Sequence, residues 1–592
     1  MSILIKTVRI AGFRGLENIE VTLEQTTILT GMNNSGKTSF LKALQLALGN
    51  RQFVSQDDFF IQKSSVSEKI IIDVLIIPID GGGKQCENFL ADWEILFTTD
   101  RIRNDDIGNA FVPLRIVITF DIINNSFKSQ QFILQGWPEF KQGDVDWYDA
   151  ENGKKSNFHF DELPFFYMDA QRDILEDTKL RSSYLGKMLS KIEFSPKDIK
   201  DIEEQIKILN EKAVSSSDIL SNIKTTLKEL DTAMDTRSEG IEITPFTKKI
   251  RDLNKGLTIY YTDSHESFSM EYHGMGTRSW SSLLTLKSFI ALLSKNAEKE
   301  KSVFFPVLAI EEPEAHLHPN AQKKLLGQID AIAGQKIIST HSPYIAATAK
   351  LGHIRNFYKD KIVTCGRIKT DSLSGEEIRK IDRQVINSRC EIFFSKLIVF
   401  FEGETEEQAL PIFAQKYFGK SYVEMGLDFV GVGGYGSYLP FIRFAEAFNI
   451  PWLIFSDAEN TPDKNVKGSV QQQFLKCGSQ KSETDCIVFI DDGNDFEKQL
   501  ISDGFGNEIK KAIASLEVYT NEEHRKAKEK SRITEIESYN DDKLYGVITG
   551  SKTQYGPAIA EQIMQSKKDL PLKIIAIFDK ISAILKMVEA KA

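Results

Sequence analysis

The chain is 592 residues long, 41% hydrophobic and 27% charged, with a formal net charge of −10. A single hydrophobic core rarely grows beyond about 300 residues, so more than one domain is expected. No apolar run approaches the roughly 20 residues of a membrane helix, the acidic balance excludes a coat held to nucleic acid by bulk charge, and Cys86, Cys365, Cys390, Cys477 and Cys486 lack the spacing of a zinc site or disulfide framework.

The first residues alternate like a strand and carry no cleavage-site pattern, so a reducing cytoplasm is the expected compartment. Strands are predicted at Ile3 to Ile10, Val21 to Leu23 and Thr27 to Thr30, and a helix from Lys37 to Leu48. Between the last two runs Gly31-Met-Asn33-Asn34-Ser35-Gly36-Lys37-Thr38, which matches G-x-x-x-x-G-K-T in strand–loop–helix context. In such a loop the backbone N–H groups of Asn33, Asn34, Ser35 and Gly36 wrap phosphates, Lys37 reaches the β and γ oxygens, and Thr38 places its hydroxyl on Mg²⁺. ATP is the expected ligand.

Residues 70–160 read as strand-rich. From Pro196, Ile199, Ile202, Ile206, Leu209 and Ala213 recur at helical spacing, and a second stripe follows through Ile219, Ile223, Leu227, Leu230 and Met234. An αα-hairpin results, read either as surface decoration or, preferably, as a dimerisation arm, because exposed apolar seams seek a partner.

The α/β pattern returns over 240–350. A buried strand ends in Glu311 and Glu312, where Glu311 would hold Mg²⁺ through water and Glu312 would polarise the attacking water. The strand from Lys336 ends at His341, placed to sense the γ-phosphate. Gly274 to Ser279 precedes an apolar helix, and free N–H donors there favour an anion. This loop, with Gly276 and Arg278, is expected to complete the ATP site of a second subunit.

Together with Val8-Arg9-Ile10-Ala11-Gly12-Phe13-Arg14, Glu311 to Pro319 and Ser339 to Pro343, these motifs resemble the ABC-type heads of SMC, RecF and related ATPases. The likeness covers residues 1–350. It departs at the signature loop, where Gly274 to Ser279 stands in place of LSGGQ.

From Lys396 strands and helices alternate, which implies a parallel sheet. Strand 397–401 ends in Glu402, at the edge where open α/β sheets bind ligands, and Glu406 follows one helical turn on. Strand 451–455 delivers Asp457 and Glu459. Hard oxygen ligands without Cys or His suit Mg²⁺ or Mn²⁺. Gly431 to Ser437 would let a phosphate backbone come close.

These features resemble a Toprim domain, and a Toprim domain behind a RecF-like ATPase resembles the OLD (overcoming lysogenization defect) family, which includes the nuclease subunit of the Gabija antiphage system. By motif, Glu402 and Glu406 match E-G-x-x-E, and Asp457 with Glu459 occupies the D-x-D position, where glutamate is a departure. The resemblance further implies Glu497 as a metal-site acid and Lys552 as the lysine that steadies the scissile phosphate; ordinary surface charge is the alternative for both. The run His524 to Arg532 is read as a solvated helix face in preference to a DNA contact.

The reading is an α/β chain: an ABC-type ATPase head (1–175 and 241–355) with a strand-rich insert and a helical dimerisation hairpin (176–240), a connection (356–390) and a C-terminal Toprim domain with a parallel sheet (391–592). The expected activity is ATP-regulated, divalent-metal-dependent cleavage of DNA in phage defence, by two-metal chemistry. An ATPase sensor that binds metal or nucleic acid without cutting is the alternative. Expected partners are DNA and further copies of the chain as a dimer or tetramer, with no membrane; the family resemblance leaves open action alone, with a helicase, or beside a reverse transcriptase and its small nucleic acid.

Overall fold

The computed structural model describes residues 2–589 apart from 50–53, 63–64, 122–125, 141–146, 148–152, 181, 191–194, 222–259, 264–265, 360–361, 519 and 521. The chain divides into two compact units, one of Met1–Phe160 with Gln335–Ala592 and one of Asp161–Gly334. Among the described residues no helix is long and apolar enough to cross a membrane.

The first unit holds three sheets that matter here. An antiparallel sheet runs Ser126–Ile133, Ala110–Asp121, Lys69–Ile79, Ser2–Phe13, Leu16–Thr22. Its central strands read as continuous apolar runs because both faces are covered. The charges inside them are paired: Arg115 stands opposite Asp73, donates to both its oxygens at 2.8 and 2.7 Å, and gives a further bond to the Trp147 carbonyl at 2.8 Å.

In the second sheet Thr26–Gly31 lies parallel between Gln335–Ser339 and Ile354–Lys359, with Val363–Gly366 added antiparallel. The helix Lys37–Leu48 leaves the central strand through the glycine loop.

The third sheet is four-stranded and wholly parallel, in the order Leu427–Gly431, Leu397–Phe401, Trp452–Ser456, Ile487–Phe489. Side chains alternate across a strand, and here both faces are buried. Leu397, Val399 and Phe401 join a core with the C-terminal helices Lys552–Gln565 and Leu572–Glu589. Ile398 and Phe400 join a second core with the helix Tyr438–Ala447 and residues from Ala346 to Phe393.

That second core bears on the segment expected as a connection. Residues 356–390 include two strands of the phosphate-loop sheet and the helix Gly375–Ile381, which continues as the π-helical turn Asp382–Ile386. Asn356 Nδ2 donates to the Phe448 carbonyl at 2.9 Å in a buried contact. Ile354, Ile368, Ile381 and Val385 pack with Phe393 and Phe448. Polar composition concealed these apolar anchors, which lie too far apart for a periodic signal.

In the second unit Phe165–Met168 pairs parallel with Val307–Glu311. The helix Pro196–Ser215 begins as its sequence suggests: Ser195 Oγ accepts from Asp198 N at 3.2 Å and Pro196 takes the first position. On this helix Leu209 is 55% exposed. The second stripe of the expected hairpin, from Ile223 onward, lies outside the described residues. Residues 275–279, read as a loop from their glycines, are instead the first turn of the long helix Met275–Glu300.

Candidate functional site

Strands of the parallel sheet present their carboxyl ends along one edge, and groups leaving that edge meet there. Glu402 follows Phe401 directly, and Asp457 follows Ser456 on the neighbouring strand. Glu406 lies in the first turn of the helix Glu404–Phe418. From beyond the strand Ile487–Phe489, Asp495 arrives as N-cap of the helix Phe496–Ser502, with Glu497 in its first turn. Glu406, Asp457, Asp495 and Glu497 are all buried.

Their charges act on one another. Burial pushes the Glu406 carboxyl up to about 8, with Glu497 and Glu402 adding to the rise. Asp457 is pushed up to about 9, by burial first and then by Glu406, Glu402, Asp495 and Glu497. Burial also raises Glu402, against the Ser456 hydrogen bond and Lys464. Like charges in a low-dielectric site disfavour one another's ionised forms, and a cation reverses that preference.

Among the described residues no three His, Cys, Asp or Glu side chains close into a ready-made metal cage. This agrees with the electrostatics once range is considered. Charges couple over several ångströms, whereas ligands of one divalent ion stand within about 2.0–2.6 Å of it. The residues present nevertheless fit a divalent cation: all their donors are carboxylate oxygens, and the buried Asp457 Oδ1 accepts no hydrogen bond.

Glycine at 403 keeps the group compact. A Cβ there would stand 2.8 Å from Glu406 Oε2, so any side chain would displace that carboxylate. The remaining acids are held by named donors. Ser456 Oγ donates to Glu402 Oε1 at 2.8 Å, and Thr405 Oγ1 to Glu497 Oε1 at 2.6 Å. Tyr545 OH donates to Asp495 Oδ2 at 2.6 Å, and Lys498 N to Asp495 Oδ1 at 2.9 Å.

Lys552, at the start of the helix Lys552–Gln565, donates to Glu497 Oε2 at 2.9 Å. Burial lowers the pKa of its ammonium, but Glu497, Asp495 and Glu406 together leave it above the ordinary value.

The structure therefore brings together Glu402, Glu406, Asp457, Glu497 and Lys552. Glu459 carries an ion pair of its own. It pairs with Lys464, beside the small hairpin Asn460–Thr461/Lys464–Asn465. Lys464 also acts on Glu402, so this ion pair stands beside the cluster. Asp495 also belongs to the cluster and acts on Asp457. The signal that could have found it is Asp495-Phe-Glu497, which repeats an acid-x-acid spacing at the next strand end. Thr405, Ser456 and Tyr545 carried no local signal.

The expected nucleotide residues are divided between the two units. In the first, Gly31 and Gly36 have φ of 130° and 102°, and a Cβ at Gly31 would meet the Phe357 carbonyl at 2.2 Å. Only glycine fits that approach. Lys37 is buried and donates to the carbonyls of Gly31 and Met32, both at 2.8 Å. Asn33, Asn34 and Thr38 are exposed and Ser35 is buried. His341 follows the adjacent strand, whose Ser339 is level with Leu29, so it stands at the same sheet edge as the loop. Its ring lies 6.3 Å from that of Phe394.

In the second unit Glu311 ends its strand and Glu312 turns with φ of 40°, a strained value for a side-chain-bearing residue. Arg172 secures that turn. Its Nη1 donates to the carbonyls of Glu311 and Asp169 at 3.0 and 3.1 Å, and its Nη2 to those of Glu312 and Pro313 at 3.1 and 2.8 Å. Burial lowers the pKa of this guanidinium to about 10. A Cβ at Gly276 would lie 2.4 Å from the His316 carbonyl, so Gly276 is explained by close packing. Arg278 forms a two-point pair with Asp173.

Two family descriptions match the chain: "AAA ATPase domain" over residues 4–346 and "Overcoming lysogenization defect protein-like, TOPRIM domain" over 393–458. The Old nuclease of Escherichia phage P2 is 24% identical over 486 residues, covering 78% of each chain. Endonuclease GajA of Bacillus cereus (strain HuB5-5) is 23% identical over 555 residues, covering 80% of this chain and 76% of that one. Among solved structures, the C-terminal region of the Burkholderia pseudomallei OLD protein is 20% identical, covers 32% of this chain and 99% of its own, and has a TM-score of 0.24.

Proposed function

We propose, from the premise that this chain belongs to the AAA ATPase domain family and carries an OLD-like TOPRIM domain, the pairing of the OLD nucleases, that it is an ATP-regulated, metal-dependent DNA endonuclease. The observation that carries the reading is the meeting of Glu402, Glu406, Asp457, Asp495 and Glu497 from three neighbouring strand ends, with Lys552 beside them. Names of relatives, "Old nuclease" and "Endonuclease GajA", point the same way. Phage defence is the proposed setting, and the cytoplasm the proposed compartment.

Glu402, Glu406, Asp457 and Glu497, with Asp495, would hold the cation, and carboxylate-only ligation favours Mg²⁺ or Mn²⁺. When bound, such ions lower the pKa of an attacking water and offset charge on the leaving oxygen. Lys552, kept protonated by its acidic neighbours, would neutralise a non-bridging oxygen of the scissile phosphate. In the ATPase, Lys37 would exchange its two loop carbonyls for β and γ oxygens, and Thr38, Glu311, Glu312 and His341 take the roles their positions suggest. Joining of two heads would require Arg278 to exchange Asp173 for a phosphate. Assembly as a dimer or tetramer, and pairing with a helicase or reverse transcriptase, belong to the same proposal.

The pairing of Glu459 with Lys464 favours one second reading, a sensor that binds metal or nucleic acid without cutting. Plasmid cleavage with Mg²⁺ or Mn²⁺ decides between the two. Glu402→Ala should abolish cleavage and leave ATP hydrolysis intact, while Lys37→Ala should remove ATP hydrolysis. Nicking by Glu402→Ala at the parent's rate would refute the nuclease assignment, and a parent protein that never cuts would establish the sensor.

A further inference from the structure

Thr405 stands between the two acids of the first motif and faces neither. It is the second residue of the helix Glu404–Phe418 and is 3% exposed. A threonine deeper in a helix often turns its hydroxyl back onto the carbonyl four residues earlier. Here that carbonyl, of Phe401, already accepts from Val432 N at 2.9 Å. The Thr405 hydroxyl instead reaches Glu497 Oε1 at 2.6 Å, 92 residues away in sequence.

Glu497 is 2% exposed and its other oxygen takes the Lys552 ammonium at 2.9 Å. The last torsion of a glutamate is broad and weakly restricted on its own. Gripped at both oxygens from opposite sides, this carboxylate has one orientation. The helix that carries Lys552 is itself packed against Thr405: a Cβ at Gly556 would lie 3.3 Å from Thr405 Cγ2 and 3.5 Å from its carbonyl. Thr405 thus touches both members of the ion pair's support, by hydrogen bond to Glu497 and by packing against the Lys552 helix.

We propose that Thr405 is a positioning residue of the cleavage reaction, whose hydroxyl fixes Glu497 and through it aims Lys552 at the scissile phosphate. This rests on the nuclease reading above. The methyl group of Thr405 fills space against Gly556, and its hydroxyl does the orienting. Valine keeps the shape and removes the donor; serine keeps the donor and removes the methyl group.

The test uses the full-length protein and plasmid DNA, with Thr405→Val, Thr405→Ser and Glu402→Ala beside the parent. Initial cleavage rates give kcat and KM, and titration of Mn²⁺ without DNA, followed by its electron paramagnetic resonance signal, gives cation affinity. Loss of an orienting partner behind a metal-site residue costs about 10–100-fold. Thr405→Val is expected to lower kcat by at least about tenfold with KM little changed, and to weaken Mn²⁺ binding, while Thr405→Ser restores both. Parental kcat and Mn²⁺ affinity in Thr405→Val would overturn the proposal. So would losses in the serine variant as large as those in the valine variant, which would show that the hydroxyl by itself does not do the orienting. Glu402→Ala separates the two levels: if it cuts like the parent, the nuclease reading itself has failed.

Discussion

Lys552 and Glu497 form an ion pair at 2.9 Å, with the carboxylate side chain 3% exposed and the lysine side chain 39% exposed. Separated by 55 residues, the pair ties the C-terminal helices to the acid-bearing edge of the parallel sheet. One partner is buried and needs compensation, since an unpaired carboxylate in the interior is costly. The other keeps a face toward solvent, where a phosphate can arrive. Helices that look like a C-terminal appendage are in this way part of the site's wall.

Gly403 separates geometry from fold. Gly403→Ala places a methyl group on Glu406 Oε2, the end of a side chain that can swing aside. The protein is expected to fold with a nearly parental melting temperature, while Mn²⁺ affinity and cleavage fall by about tenfold. Calorimetric titration and thermal denaturation of the same sample check this; parental metal affinity would show that the Glu406 position is immaterial.

The carboxyl cluster should make metal binding depend on pH. Unfolded, Asp and Glu titrate near 3.9 and 4.3 in round terms, whereas the cation-free fold raises Glu406 to about 8 and Asp457 to about 9. Between these limits the folded chain binds more protons than the unfolded one. Cation-free stability is therefore greatest below the unfolded values and falls as pH rises through the folded ones. A divalent cation displaces those protons, so Mn²⁺ affinity should tighten from about pH 6 to about pH 9. Titrations in buffers of different ionisation enthalpy should reveal proton release; affinity independent of pH would contradict the cluster's electrostatics.

Arg172 makes a prediction for the ATPase. Its planar fork serves four carbonyls around the strained Glu312, and a lysine ammonium cannot reproduce that geometry. Arg172→Lys is expected to slow ATP hydrolysis on the order of 10–100-fold through misplacement of the acidic turn. Nucleotide binding should persist, because the loop at residues 31–38 is untouched. Undiminished turnover in Arg172→Lys would show that Glu312 needs no such support.

Much of this architecture is visible in local pattern. The glycine loop, the acids after Ile310 and Phe401, and the alternation of strands and helices from Lys396 all depend on neighbouring residues. Physics acting over a few positions therefore suffices to read them. The expected roles of Glu497 and Lys552 came from family resemblance, and their contact could not have been read from spacing. Asp495 shows the limit most clearly: only packing brings it to Tyr545, fifty residues on, and to Asp457.

By itself the sequence determined which chemistries the chain carries: a phosphate-wrapping loop, and carboxylates at strand ends with no Cys or His among them. Only the tertiary structure decided which acids meet, that Asp495 joins them, and that Thr405, Tyr545 and Arg172 hold Glu497, Asp495 and the turn at Glu312. The reason is one of distance in the chain. Hydrogen bonds and charge coupling between residues 50 to 140 positions apart exist only once strands and helices have packed, and no local periodicity records them.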